Sequence, residues 1–465
     1  MSAQLTEGED ARRQFVTALP LRRLRRHLPL AGEDREAYGP SRMTDDPTGT
    51  PTRRAALKLL DAVLRRGLPL EAAMDAACGE LDRGDDRAFA HAIAAETLRR
   101  LPDLDALIDT ATERPLPHDA KARFALRIAL VQALALNTPH HAAITTVLPL
   151  LDGGPRKLVH GVFGTLMKQS ATLPDPPRLP ETVEKRWTAS WGKDAVEAAR
   201  RSIAAPPPVD LTLKPGLDTA LWATRLDGIS LAPGHVRIPA GRRIVDLDGY
   251  DEGVWWVQDI AASLPARLLA SGEGRRALDL CAAPGGKTMQ LAANGWAVTA
   301  VDLSEPRIER LRENLERTVL TADVVVHDAE SFTAPAFDAV LLDAPCSATG
   351  IFRRHAEVLY RATPRVISDM HVLQSRLIDH AASLVAPGGT LIYAVCSLEA
   401  DEGEQIAKGF VARHNADWAL DPIVAEDLPA GFAPDKVGRL RVRPGSVAEQ
   451  GGADGFFIAR FRRRS

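Results

Sequence analysis

The chain has 465 residues, enough for two or three domains each with its own core. Hydrophobic residues make up 45% and charged residues 26%, the balance of a globular protein, and a formal net charge of −3 supplies no global pull toward nucleic acid or membrane. Cys78, Cys281, Cys346 and Cys396 form no CxxC pair, which argues against a zinc ribbon or a disulfide framework and fits a reducing compartment.

Glu7, Glu9 and Asp10 interrupt the apolar core that a signal peptide would need. No apolar run approaches the roughly 20 residues of a membrane span, so a cytoplasmic protein is expected. Residues 1–50 mix charge with Gly, Pro and Thr and read as a tail. Within it Leu21–Leu30, LRRLRRHLPL, is a short basic amphipathic piece, either solvated or in contact with RNA.

From Thr52 the spacing becomes helical. Leu57, Leu60, Val63 and Leu64 fall on one expected face, and Gly67 ends the run. DDRAFAHAIAAETLRRL, KARFALRIALVQALAL and RKLVHGVFGTLMKQ repeat the pattern, so residues 51–172 read as an all-α domain. The prolines of LPDPPRLP, Leu173–Pro180, then mark a linker. A helical piece and several short β-like runs follow, which makes residues 173–250 a linker and small α/β connecting domain.

Residues 251–465 alternate strand and helix signals, the pattern of a parallel sheet covered by helices. The strand candidates are RRALDLC, AVTAVDL, ADVVVHD, FDAVLLDAP and GTLIYAVCS, with WALDPIV and DGFFIARF able to complete the sheet. Ligands bind outside the carboxyl ends of such strands. Cys281, Cys346 and Cys396 all stand at those ends. Buried cysteine is an ordinary small core residue, but core packing alone accounts poorly for three of four at one rim.

LDLCAAPGGKTMQLA, Leu278–Ala292, is strand, glycine turn and helix. Gly285 and Gly286 let the backbone approach a ligand, whose neighbours would be Cys281, Ala282, Ala283, Pro284 and Lys287. The turn is neither G-x-G-x-x-G nor G-x-x-x-x-G-K-[ST], which disfavours dinucleotides and nucleoside triphosphates. The next two strands end in Asp302 and Asp328, positions suited to ribose hydroxyls and to an adenine amine. Either aspartate alone is more often a helix N-cap or a solvated loop residue. Together, after a glycine turn and without a phosphate signature, they favour S-adenosyl-L-methionine.

DLCAAPGGKT, DAPCSATG and YAVCSLEADEGE resemble the motifs of the Sun/RsmB family of S-adenosylmethionine-dependent RNA cytosine-5 methyltransferases. VWWVQDIAASLPARLL and DGFFIARF also match, so the catalytic resemblance spans about residues 250–465. DRAFAHAIAAETLRR and LRIALVQALALNTPHHAAI are similar to the NusB-like RNA-binding domain that precedes catalytic domains of this kind. The resemblance implies an all-α NusB-like domain, a small α/β connecting domain and a Rossmann-like class I methyltransferase domain. LVHGVFGTL lacks the family's usual asparagine, AAPPPVDLTLK lacks the Arg and Asn of LRVN, and FRRHAEV lacks the proline-aspartate that usually follows RRH.

C5 of cytosine is a poor nucleophile until a thiolate adds at C6 and makes the ring an enamine. A base must then remove the C5 proton so that the thiol can leave. The resemblance implies that Cys396 is the nucleophile, that Cys346 assists breakdown of the adduct, and that Asp343 contacts both cofactor and cytosine ring, protonating the ring as a neutral acid. It implies an RNA partner with a single-stranded or flipped cytosine, small-subunit (16S) ribosomal RNA before transfer RNA. No metal, no membrane and a monomer are expected. Lys287 either orders the site or is a solvated helix-start lysine. Cys281 reads as structural and Cys78 as packing. Arg353, Arg354 and His355, and the alternating Arg439, Arg441 and Arg443, either hold RNA phosphates or sit in solvent. The rival functions are methylation of a small molecule or protein, and a non-catalytic RNA-binding scaffold. An NAD-linked dehydrogenase is disfavoured by the missing G-x-G-x-x-G.

Overall fold

The computed structural model describes residues 47–465, so the basic piece at Leu21–Leu30 lies outside the described residues. The helical domain runs α1 (Thr50–Leu64), α2 (Met74–Cys78), α3 (Gly84–Arg99), α4 (Leu101–Thr110), α5 (Lys121–Leu134), α6 (His140–Thr145) and α7 (Gly153–Lys168). Its axis is α5, buried from Ala122 to Gln132, which explains why KARFALRIALVQ is apolar on every side. The polar side chains on that helix are paired: Arg127 holds Asp105 through two bonds of 2.7 and 2.8 Å, and Gln132 accepts from Arg53 at 2.8 Å. The buried face of α1 differs from the expected one. Ala56, Leu59, Leu60 and Val63 are buried, while Leu57 and Leu64 lie at the margin, because α1 packs against α3 and α5 together.

The proline-rich stretch is pinned to this domain, for Arg178 reaches the fully buried Asp103 through its backbone N–H at 3.0 Å and its Nε at 2.6 Å. Then come α8 (Glu181–Trp191), α9 (Lys193–Ile203), β1 (Val209–Leu213), α10 (Thr219–Arg225), β2 (His235–Ile238) and β3 (Trp255–Val257). The strands form an antiparallel sheet in the order β2-β1-β3. Its third strand therefore lies beyond residue 250, where the sequence suggested that the catalytic domain had begun. Alternation along a strand explains how VWW serves both sides. Trp255 enters the small core with Leu211, Trp222 and Val236, and Trp256 packs with Ala282, Ala283, Met289 and Leu311 beside the glycine turn.

The last region contains α11 (Ile260–Arg267), β4 (Arg276–Leu280), α12 (Gly286–Ala293), β5 (Ala297–Asp302), α13 (Glu305–Arg317), β6 (Asp323–Val326) and β7 (Phe337–Asp343). It continues with α14 (Val358–Arg361), α15 (Pro364–Ser383), β8 (Val385–Val395), α16 (Glu404–His414), β9 (Trp418–Leu420), β10 (Leu440–Val442) and β11 (Phe456–Arg463). The sheet order is β10-β11-β8-β7-β4-β5-β6, with β9 also on β11. Strands β6, β5, β4, β7 and β8 are parallel, and β11 runs antiparallel to β8. The chain leaves β4 toward β6 and returns on the other side as β7, so the crevice between β4 and β7 is the topological switch point where ligands bind. No helix among the described residues is long and apolar enough to cross a membrane.

Two arginines and two aspartates lock the region behind the site. Arg353 donates to Asp454 at 2.6 Å and Asp259 at 2.7 Å, and Arg354 to the same two carboxylates at 3.1 and 2.5 Å. Breaking a buried, bonded charge pair leaves an uncompensated charge. Asp454→Ala is expected to cost about 3–5 kcal/mol, read as a lowered urea midpoint by tryptophan fluorescence. Arg443→Ala, at an exposed arginine, should stay within about 0.5 kcal/mol.

Candidate active site

Strand β4 delivers the chain to the rim at Leu280, where Cys281 takes a φ of 61° and starts the turn. Gly285 closes it with a φ of 102°, and a Cβ there would stand 2.9 Å from Leu311 Cγ, so only glycine suits the position. Helix α12 begins at the next residue, its first turn aimed into the crevice. Behind the turn, Gln258 accepts from Trp256 Nε1 at 2.8 Å and donates to Gln290 at 2.7 Å.

The residues at this turn suit a nucleoside-bearing cation such as S-adenosylmethionine, and the sign is an orphaned polar atom. Asp279, fully buried in the middle of LDL, accepts from Thr288 Oγ1 at 2.6 Å through Oδ2, but its Oδ1 has no partner. Burial pushes its pKa from the ordinary 3.8 up to about 7, against the Thr288 hydrogen bond and nearby Lys287. Sequence reasoning passed over Asp279, although an acid between two leucines of a buried parallel strand was a visible signal.

Asp302 lies beside the turn and helps to build it. Its Oδ2 accepts from Ala283 N at 3.1 Å and pairs with Arg307 at 3.2 Å, while Oδ1 accepts from Ser304 N at 3.0 Å. Since a carboxylate has about four lone-pair sites, ribose hydroxyls here would share Asp302 with the turn. The half-buried Asp328 lies just past β6, its Oδ1 accepting from Glu330 N at 3.0 Å. His327 N donates to Asp302 O at 3.1 Å and joins the two strand ends.

Parallel pairing places Asp343 opposite Ala394, so the loops that leave β7 and β8 run side by side. Cys346 Sγ and Cys396 Sγ lie 3.5 Å apart. Cys396 is half-buried and Cys346 is buried. The hydrogen bond to Cys396, then burial and the nearby Glu402, push the Cys346 thiol well above its ordinary pKa. Gly350 sits under the pair: its N–H donates to Cys396 O at 3.0 Å, and a Cβ on it would be 1.9 Å from Gly455 O. Lys287 is buried, not solvated, and donates to Asp343 Oδ2 at 2.6 Å. Burial would lower its pKa, but Asp343, with Asp279 and Cys396 nearby, holds it above the ordinary lysine value.

Cys281 is on the turn, and burial first, then Asp302, push its thiol far up, so it is not a poised nucleophile. Cys78 is enclosed in the helical core. Apart from the exposed Arg443, the arginines offered to RNA are otherwise engaged. Arg353 and Arg354 are spent on Asp259 and Asp454, and His355 faces Glu357 at 3.6 Å. Arg441 donates to Glu404 and to Ser397 O and stacks on Trp191 and Phe457, and Arg439 holds Asp435. The charge of Arg353, Arg354 and Arg441 is consumed by partners distant in sequence, which no local pattern displays. The sequence also gave no prominence to Ser347, Ser397 and Glu402, which join the two cysteine loops.

Two outcomes follow. Asp302→Ala should weaken S-adenosylmethionine binding by about 1.5–3 kcal/mol, or roughly tenfold to more than a hundredfold, in calorimetric titration. Between about pH 4 and 7 folded Asp279 keeps a proton that the unfolded chain releases, so wild-type stability falls as pH rises through that window. Asp279→Asn should flatten this fall in urea melts collected at successive pH values.

Residues 266–462 match the family described as 16S rRNA methyltransferase RsmB/F, and residues 50–152 match the NusB family. The chain is 34% identical over 433 residues to Ribosomal RNA small subunit methyltransferase B of Xylella fastidiosa (strain Temecula1), covering 89% of this chain and 98% of that one. It is 32% identical over 446 residues to the protein of that name from Pseudomonas syringae pv. tomato, covering 88% and 96%. Among solved structures, PH0851 superposes with a TM-score of 0.68 at 22% identity, covering 89% of this chain and 98% of that one. NSun6 from Pyrococcus horikoshii with SFG gives 0.53 at 17% identity, covering 62% and 98%. With its glycine turn, its switch-point crevice and its helical domain all accounted for, the chain belongs to the 16S rRNA methyltransferase RsmB/F family, whose methyl donor is S-adenosyl-L-methionine.

Proposed function

We propose that this protein methylates C5 of a cytosine in 16S ribosomal RNA through a covalent adduct between Cys396 and C6. The observation that carries this is the pair of thiols 3.5 Å apart at the ends of adjacent strands, beside the Lys287–Asp343 pair. The ribosomal substrate is supported by the names of the curated relatives. S-adenosylmethionine, held at residues 281–287 with Asp302, Asp328 and Asp343, supplies an electrophilic methyl group.

Attack belongs to Cys396, the more exposed thiol of the pair and the one the family resemblance assigns as nucleophile. As the Cys396–C6 bond forms, electron density moves toward ring N3, which takes up a proton through Asp343 and returns it when Cys396 leaves. Asp343 accepts a hydrogen bond from Lys287 at 2.6 Å, which sets the lysine ammonium against the carboxylate that meets the ring. Once Cys396 has become a thioether, the interaction that most raises the Cys346 pKa is gone. Cys346 then loses its proton more readily and can take the one at C5, and the electrons of that C–H bond expel Cys396 from C6. One thiol thus readies the other.

Both faces of the base must be reached, which calls for a single-stranded or flipped nucleotide. The helical domain, residues 51–172, would add RNA affinity rather than chemistry. Work on ribosomal RNA would place a monomeric enzyme in the cytoplasm. The two thiols are separable by experiment. With 16S RNA and S-adenosylmethionine, Cys396→Ala should give neither methylation nor adduct. Cys346→Ala should methylate once and stall as an RNA-linked protein, a slow band on a denaturing gel that nuclease removes. Full activity in both variants with no adduct would refute the covalent route.

A further inference from the structure

Each cysteine of the pair is followed by a serine, and both serines bond to one buried carboxylate. Glu402 Oε1 accepts from Ser347 N at 2.8 Å, and Oε2 accepts from Ser347 Oγ at 2.6 Å and from Ser397 Oγ. Thr349 Oγ1 lies 3.3 Å from Ser397 Oγ and accepts from Leu398 N at 2.9 Å. Tyr393 donates to Glu402 O at 2.6 Å. Glu402, Ser397 and Thr349 are each 0% exposed, and the carboxylate's hydrogen-bond donors are the two serines, not a cation. A carboxylate buried with hydroxyl and amide donors is costly to retain, and an apolar side chain would fill the volume more favourably. What it does that an apolar group would not is fasten two loops, 50 residues apart, at the positions next to the thiols.

The outside of the same loop is gripped independently. Glu399 receives Arg186 through two bonds of 3.2 Å and Trp187 Nε1 at 3.1 Å, and Leu398 O receives Trp191 Nε1 at 2.8 Å, all from α8. The outer side of the loop is thus fixed to α8. Its inner side meets the Cys346 loop through Gly350 N to Cys396 O, Leu398 N to Thr349 Oγ1 and the Glu402 carboxylate, the one group among the described residues that bonds the residues next to both thiols.

We propose that Glu402 is a positioning residue that sets the spacing of Cys346 and Cys396 by clamping Ser347 and Ser397 onto one carboxylate. Its kinetic consequence rests on the covalent function proposed above, but the spacing itself does not. The test therefore has two arms, both on the full chain. In the first, phenylarsine oxide, which bridges two neighbouring thiols, is titrated without RNA, with Cys346→Ala and Cys396→Ala as non-bridging controls. Wild type should bind it tightly. Glu402→Ala should bind it at least about tenfold more weakly, with S-adenosylmethionine affinity unchanged. Glu402→Gln keeps an acceptor for Ser347 N and offers an amide to hydroxyls that can rotate to accept it, so it should restore binding.

In the second arm Glu402→Ala should lose about a hundredfold in kcat on 16S RNA at an unchanged KM for S-adenosylmethionine, with Glu402→Gln recovering most of it. Should Glu402→Ala fail to fold, Ser347→Ala, which deletes one hydroxyl and keeps the amide donor, should show a smaller loss of the same kind in both arms. Unaltered arsenical binding and turnover in Glu402→Ala overturn the proposal, as does a loss that tracks cofactor affinity. Glutamate-dependent arsenical binding in a protein that methylates no RNA upholds the positioning role and defeats the covalent function instead.

Discussion

Parallel hydrogen bonding between β7 and β8 is the constraint on which the site depends. On the covalent route proposed above neither cysteine loop would act alone, because one thiol would attack and the other release the same pyrimidine ring. The pairing of Asp343 with Ala394 makes the two loops leave the sheet at one level. Gly350 and Gly455 then let the backbones touch where any side chain would collide. A one-residue slip in a parallel pair would turn one loop's side chains to the other face and separate the thiols.

Around that constraint the protein buries charge in an ordered way. Lys287 donates to Asp343 near Cys396, Asp279 keeps an unpartnered oxygen beside the glycine turn, and Glu402 ties the two cysteine loops together. Each buried charge is costly by itself and is retained because hydrogen bonds or an opposite charge answer it. The Arg353, Arg354, Asp259 and Asp454 cluster does the same without chemistry, anchoring the segment after the first cysteine loop. That segment goes on to meet the helical domain, where Tyr360 donates to Leu98 O at 2.8 Å and Arg361 to Gly67 O at 2.9 Å. The domain similar to NusB is thus bonded to α14, which follows the Cys346 loop in the chain.

Several of these features were legible from the chain alone. Period-3.6 runs marked the helices, apolar runs ending in Asp or Cys marked the parallel strands, and DLCAAPGGKT marked the turn, since local backbone chemistry allows few other conformations for those residues. The boundary near residue 250 was less visible because β3 serves two cores at once, with Trp255 in one and Trp256 in the other. The face of α1 was placed off its true centre because spacing shows a stripe, not which neighbours press on it.

The sequence by itself determined which residue types were present for the chemistry: two thiols at strand ends, a glycine turn and aspartates in order along the rim. Tertiary structure alone decided which charges were free to act. Arg353, Arg354 and Arg441 read either as RNA contacts or as solvated until distant carboxylates claimed them, and Lys287, which read either as ordering the site or as solvated, is drawn inside by Asp343. The reason is range. Hydrogen-bond geometry between neighbours is written into short motifs, but the partner of a long charged side chain is set by how separate elements pack, and no local pattern carries that information.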